Sequence, residues 1–246
     1  MSSLEVAADE AAAYDVLPQD RLRRVTAKRL RAAVPEKPQV TLHSRAIVDR
    51  FLATRKQVSA LPGGGSAPVT VTAALARIVA ESLTRIGRLN GHVNGDEVRL
   101  FHAVNLGVAV DTGNGLITPV IRDAHTKTVH ELAAELENLA SKARAGKIHP
   151  TDLADPTFTI SNLGSYGVEQ FTPLVNPPQI AILGVGATLP GVALVDGGRV
   201  DVLHLGLSLS FDHAAVDGAA AAEYLRSLIG LIEAPDDILL SGLGGD

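Results

Sequence analysis

The stretch RVDVLHLGLSLSF (199–211) alternates, with Leu203, Leu205, Leu207, Leu209 and Phe211 on one side and His204, Gly206, Ser208 and Ser210 on the other. A helix turns about 100° per residue and would scatter that apolar set around its circumference. A pleated strand gathers it on one face. The chain therefore contains a long strand with one apolar face, and such a face needs a second layer to cover it.

The rest of the chain supplies both kinds of partner. QVTLHSRAIV (39–48), TFTIS (157–161) and IAILGVGA (180–187) read as strands. VRLFHAVNLGVAV (98–110) and LITPVI (116–121) are strand-rich, with DTGNG (111–115) as the turn between them. LPGGGSAP (61–68) is a loop and VTAALARIVAESLTRI (71–86) a helix. A second helix starts at Thr128, which forms a capping-box spacing with Glu131, and closes at Gly146. A last helix runs from about Asp217 to Glu233, and RLRRVTAKRLRAA (21–33) is a basic helix near the start. Helices and strands do not alternate one for one, which predicts an α+β two-layer sandwich with a mostly antiparallel or mixed sheet. Gly184 and Gly186 lack the third glycine and downstream acid of a dinucleotide fingerprint, so a nucleotide fold is not expected.

Composition excludes several functions. The net charge is −5 and aromatics are 3% of 246 residues, which argues against a nucleic-acid partner. With no cysteine there is no disulfide and no thiol nucleophile, and no metal is expected. No apolar run is long enough to span a membrane. The N-terminus, acidic and Ala-rich, lacks the features of a targeting peptide, so residues 1–16 are expected to be a flexible arm or linker remnant and the location cytoplasmic.

The chemistry centres on FDHAAVDG (211–218). His213 follows the alternating strand directly, and a histidine held at a strand end suits general-base work near neutral pH. Asp217 is placed as the N-cap of the last helix, and Gly218 allows close packing at its start. On the residues alone, a surface or satisfied core histidine is the favoured reading for any one of the eight histidines, His213 included.

H-x-x-x-D-G is the signature of the CoA-dependent acyltransferases, a superfamily that includes chloramphenicol acetyltransferase. It sits here within a longer likeness. RRVTAKRL (23–30), VNLGVAVDTGNGLITPVIRDA (104–124), ELAAELENLASKARAGKI (131–148), TFTISNLGSYGVEQFTPLVNPPQIAILGVGA (157–187) and LSLSFDHAAVDGAAAAEYL (207–225) resemble, in order, the catalytic domain of the dihydrolipoamide acyltransferases of 2-oxo acid dehydrogenase complexes.

The resemblance implies a chloramphenicol-acetyltransferase-like fold over residues 17–246, assembled as a trimer. It implies that His213 is the base that takes a proton from a thiol, and that Ser161, in TFTISN, donates to the oxyanion. Ser165 is a nearby competitor for that role. Asp217 is implied to orient the segment, partly through Arg23 (Arg29 is its rival), while Asn162 holds a turn. The site is implied to lie between subunits, with His213 from one and Ser161 from the next. The family usually carries Arg directly after the histidine. Ala214 stands there instead, which removes a charge and a fork of donors beside the base.

The implied reaction is acyl transfer between dihydrolipoamide and CoA, with CoA as a substrate and acetyl favoured by a pyruvate-type LGSYGVEQFTPLVNPPQ stretch. The implied partners are lipoyl domains and the dehydrogenase subunits. Cages of about 24 or 60 subunits occur in the family, and Ile238, Leu239 and Leu240 are either a cage contact or the end of the last helix. The segment before the first matched block is too short for a lipoyl domain, so the lipoyl group is expected in trans or from a removed N-terminal domain. Two other readings stay open: an acyltransferase for a small-molecule acceptor, and a largely structural scaffold.

Overall fold

The computed structural model describes residues 24, 27, 38–61, 67–113, 115–195 and 197–243. Residues 1–16 and Arg23 fall outside this set. So does all of the basic helix except Arg24 and Ala27, which are helical.

The strands are β1 (Gln39–Ile47), β2 (Gly91–Asn94), β3 (Glu97–Leu100), β4 (Leu106–Val108), β5 (Val110–Asp111), β6 (Leu116–Ile117), β7 (Val120–Ile121), β8 (Phe158–Asn162), β9 (Ala181–Val195) and β10 (Gly198–Asp212). The helices are α1 (Asp49–Ser59), α2 (Val71–Arg85), α3 (Val129–Arg144), α4 (Gly218–Glu233) and the short α5 (Asp236–Leu239). Six strands form one sheet in the order β1-β10-β9-β8-β4-β7. Strands β9, β8 and β4 run parallel to one another, and the remaining pairs are antiparallel. The sheet is therefore mixed, as the element order predicts. The pairs β2-β3 and β5-β6 form two small separate ribbons.

Strand β10 is the spine. Leu205, Leu207, Leu209 and Phe211 are buried and join one core with Ala46 of β1, Leu75 and Ile78 of α2, and Tyr224 and Leu228 of α4. Each such side chain contributes about 1.5–3 kcal/mol by leaving water. Tyr224 is fully buried, and its hydroxyl shares a 2.9 Å hydrogen bond with Ser82. Burial pushes that phenol well above its usual range.

Helix α2 is capped by Thr70, whose hydroxyl accepts from the Ala73 N–H. In α3 both halves of the capping box form: Thr128 Oγ1 accepts from the Glu131 N–H, and a Glu131 carboxylate oxygen accepts from the Thr128 N–H. The backbone N–H of Thr128 holds that carboxyl below its ordinary value. Gly146 follows at φ +67°, the left-handed turn that a helix end favours.

Three elements depart from expectation. Helix α1 has no counterpart in the sequence reading, because its buried face is only Phe51, Thr54 and Val58. Strand β9 runs to Val195 rather than stopping at 187, since its second half pairs with β10 across a register shift at Gly206. Finally, Ile238 and Leu239 neither extend α4 nor lie free for a cage. Pro235 follows the end of α4, Asp236 is tied to Thr54 and Arg50, and both apolar residues bury in the core of their own subunit.

The polar face of β10 is also covered. Residues 168–175 cross it so closely that a Cβ on Gly186 or Gly206 would lie 1.9 or 2.0 Å from the Glu169 carbonyl oxygen. The crossing is held by the Ala187 N–H to Val168 O at 2.7 Å, and by Gln39, which donates to Pro173 O and accepts from the Val175 N–H. Ser208 and Ser210 are thereby buried, and each is satisfied across the strand pair, by His43 Nδ1 at 2.9 Å and Thr41 Oγ1 at 2.7 Å. Among the described residues no helix is long and apolar enough to cross a membrane.

Candidate active site

His213 stands on the turn between β10 and α4. Its N–H donates to Pro38 O at 2.9 Å. The preceding Asp212 is 2% exposed and anchors the turn. Its Oδ1 accepts from the Ala214 N–H at 3.0 Å, and its carbonyl oxygen accepts from the N–H groups of Ala215 and Val216, both at 3.1 Å. The backbone around His213 is thus tied down while its side chain is exposed. The ring leans on Phe211 at 5.8 Å between centroids, tilted 33°. A Cβ on Gly218 would lie 3.8 Å from His213 Nε2, ordinary contact, so Gly218 leaves a little extra room rather than preventing a clash.

Asp217 occupies the N-cap position of α4, with φ −70° and ψ 152°, but its side chain makes no capping hydrogen bond. The carboxylate is exposed and still lies at the positive end of the helix. The expected Arg23–Asp217 pair lies outside the described residues. Asp217 lines a cleft of about 590 Å³ together with Ala219, Ala220 and Glu223 of α4, Arg85 at the end of α2 and Arg88 just beyond it.

Ser161 is half-buried near the end of β8. It pairs with Gly184, Gly184 with Ser208, and Ser208 with His43, so these four residues form one row across β8, β9, β10 and β1. The Ser161 hydroxyl makes no side-chain hydrogen bond among the described residues, which leaves it available to donate. Asn162 braces the strand end: its Nδ2 donates to Thr72 Oγ1 at 3.1 Å and its Oδ1 accepts from the Gly164 N–H at 2.8 Å. Ser165 is exposed on the short 3-10 turn Gly164–Tyr166.

Within one chain the structure does not bring Ser161 and His213 together. The Ser161 row crosses β10 at Ser208, and His213 lies five positions further on. Strand rise and spacing put the two residues roughly 15–20 Å apart.

Sequence reasoning missed Asp212, His43 and the pair Phe171–Gly184. Asp212 carried a usable signal, since an aspartate two residues before a turn N–H is a standard local acceptor. The other two carry none, because they meet only across the sheet.

A family model of the 2-oxoacid dehydrogenases acyltransferase (catalytic domain) matches residues 11–240. The acetyltransferase component of the pyruvate dehydrogenase complex of Rickettsia bellii is 35% identical over 229 residues, covering 92% of this chain and 54% of that protein. The corresponding component of Bacillus subtilis is 35% identical over 221 residues, covering 89% and 50%. The chain thus spans about half the length of these curated relatives. Among solved structures, the dihydrolipoamide acetyltransferase of Azotobacter vinelandii matches with a TM-score of 0.88 at 33% identity, covering 95% of this chain and 98% of that one. The cubic core of a pyruvate dehydrogenase multienzyme complex matches with a TM-score of 0.88 at 34% identity, covering 94% and 96%. Signature, fold and the match over residues 11–240 agree, and the chain belongs to the family of 2-oxoacid dehydrogenase acyltransferase catalytic domains.

Proposed function

We propose that this chain transfers an acyl group, acetyl in the first instance, between dihydrolipoamide and CoA as the core of a 2-oxo acid dehydrogenase complex. The observation that carries this reading is an accessible imidazole on a fixed turn, within a chain that is like acetyltransferase cores along nearly its whole length.

The chemistry follows from the groups in place. A thiol with a pKa near the cysteine reference of about 8.5 is mostly protonated at neutral pH. His213 accepts the CoA thiol proton as the sulfur attacks the carbonyl carbon of the acyl-dihydrolipoamide. A new C–S bond forms and the carbonyl oxygen becomes an oxyanion, which takes a hydrogen bond from Ser161. The oxyanion collapses, the C–S bond to dihydrolipoamide breaks, and the departing sulfur receives the proton from His213. Acyl-CoA and dihydrolipoamide leave, with no net change in protons or electrons.

The separation of Ser161 from His213 within one chain supports a site shared between subunits, with His213 from one and Ser161 from its neighbour. A cyclic trimer satisfies this. Asp217 at the start of α4 and Asn162 at the end of β8 support the two halves. The lipoyl group arrives on a separate domain, with the dehydrogenase subunits of the complex as further partners, in the cytoplasm. Residues 1–16 serve as an arm and residues 17–246 as the catalytic domain.

The test is acetyl-CoA formation from acetyl-dihydrolipoamide and CoA by the full chain. Turnover that His213→Ala lowers by about 100- to 10,000-fold is expected. A wild-type protein that forms no acyl-CoA from any donor refutes the reading.

A further inference from the structure

The ladder between β1 and β10 ends at the pair Gln39–Asp212. One backbone bond continues past it, the His213 N–H donating to Pro38 O at 2.9 Å. The proposed base therefore hangs on the last rung of a strand pair, and the ends of such ladders open more readily than their interiors. Pro38 is exposed, so packing does not hold that rung closed.

Gln39 supplies the hold. Facing residues of antiparallel strands share a side of the sheet. Gln39 shares the polar side with Asp212, and its side chain reaches the segment that crosses there. Its Nε2 donates to Pro173 O at 3.2 Å, and its Oε1 accepts from the Val175 N–H at 2.9 Å. One amide thus spends both of its polar atoms on one stretch of backbone, which fixes where the first residue of β1 sits. The segment has other ties, from Val168 O to the Ala187 N–H, from Glu169 to Arg45 and from Gln170 to Ser44 O. Those hold its first half over β9 and the middle of β1. The end of β1 beside His213 is held by the Gln39 amide.

We infer that Gln39 is a positioning residue for His213: by clamping the start of β1 to residues 173–175, it keeps Pro38 O in place for the His213 N–H and so holds the imidazole where it meets the thiol. The inference rests on the acyltransfer reading above, with His213 as base and Ser161 supplied by a neighbouring subunit. Gln39 acts on the half-site that its own chain gives through His213. It does not act on the half given through Ser161, whose strand end is braced by Asn162 on Thr72.

The experiment places Gln39→Met, which keeps the side-chain length and removes both hydrogen bonds, in one chain of a mixed assembly. Ser161→Ala and His213→Ala chains are co-expressed, and mixed assemblies are purified through two different tags. An intact site then takes its histidine from the Ser161→Ala chain and its serine from the His213→Ala chain. Gln39→Met on the Ser161→Ala chain is expected to lower the recovered acetyl-CoA rate by about 10-fold or more, since a displacement of about 1 Å can cost about 100-fold. The loss should fall on kcat rather than on KM for CoA. The same substitution on the His213→Ala chain should leave the recovered rate unchanged. A general loss of folding would depress both placements alike. Gln39→Asn, which keeps the amide one carbon short of its partners, should fall between Gln39→Met and the unsubstituted chain, and it decides the matter if the methionine variant does not assemble. In the otherwise wild-type protein, Gln39→Met should speed amide exchange at the His213 and Val175 N–H groups but not at the Ala187 N–H. Equal losses from the two placements, no loss from either, a loss confined to the His213→Ala chain, or unchanged exchange at His213 overturns the proposal and leaves the acyltransfer reading standing. Chains that fail to complement overturn the shared site and this inference with it. A wild type that forms no acyl-CoA overturns the acyltransfer reading as well.

Discussion

Mixing two dead variants tests where the two halves of the site come from. Ser161 and His213 lie roughly 15–20 Å apart in one chain, by the rise and spacing of the strands between them. No thioester carbonyl can touch both at that separation. Ser161→Ala alone should leave about 0.1–1% of the wild-type rate, the usual loss for one oxyanion donor. His213→Ala should leave about 0.01–1%, the usual loss for a general base. Suppose each site takes its histidine from one subunit and its serine from the next. In assemblies co-expressed from equal amounts of the two variants, a site is intact when its first subunit carries the serine change and its second the histidine change. Random mixing gives that arrangement in about one quarter of sites, whatever the size of a closed ring. The mixture should therefore recover about 25% of the wild-type rate, far above either parent. The assay is acetyl-CoA formation by co-purified assemblies carrying two different tags, with each parent purified alone as a control. A mixture no more active than the mean of its parents refutes a shared site containing both residues.

Three further perturbations test how the site is held. Asp212→Ala removes the acceptor from the Ala214 N–H and should cost about 1–3 kcal/mol in urea unfolding. It should lower kcat more than it raises KM for CoA, and Asp212→Asn, which keeps an acceptor oxygen, should lose less of both. Gly186→Ala would place a Cβ 1.9 Å from Glu169 O. Residues 168–175 must then shift, at about 1–3 kcal/mol, visible as a lower Tm and faster amide exchange at the Ala187 N–H; an unchanged Tm would mean the close crossing is wrong. The Asp236 carboxyl sits below its ordinary range because the Thr54 hydroxyl and then Arg50 stabilise its charged form. Its contribution is complete above the usual carboxylate range and is lost as pH falls through its lowered value. The stability gap between the wild type and Asp236→Asn should accordingly be widest near neutral pH and close below about pH 4. A gap that widens on acidification would reverse that sign.

Much of this architecture was legible in local pattern. The β10 alternation, the Thr128–Glu131 capping box and the closing Gly146 each involve residues a few positions apart, and each forms as read. Helix α1 was not legible, because it buries only three residues, one of them the polar Thr54, whose hydroxyl is satisfied by Asp236 from the far end of the chain. The cover over β10 was also hidden. The polar side of an alternating strand reads the same whether water or another segment lies on it. Here Gly186 and Gly206 decide the matter, by admitting the backbone of Glu169.

The sequence by itself determined the family and the fold class, and it singled out His213 as the proposed base, because those rest on order, periodicity and a short signature around His213. Only the tertiary structure decided that Asp212 anchors the turn beneath that histidine, that Phe171 rests on Gly184 beside Ser161, and that Ser161 cannot reach His213 within one chain. Local pattern fixes which way a side chain faces relative to its neighbours in the chain. Strand order and register fix which distant residues share a row, and that is settled only when the sheet assembles.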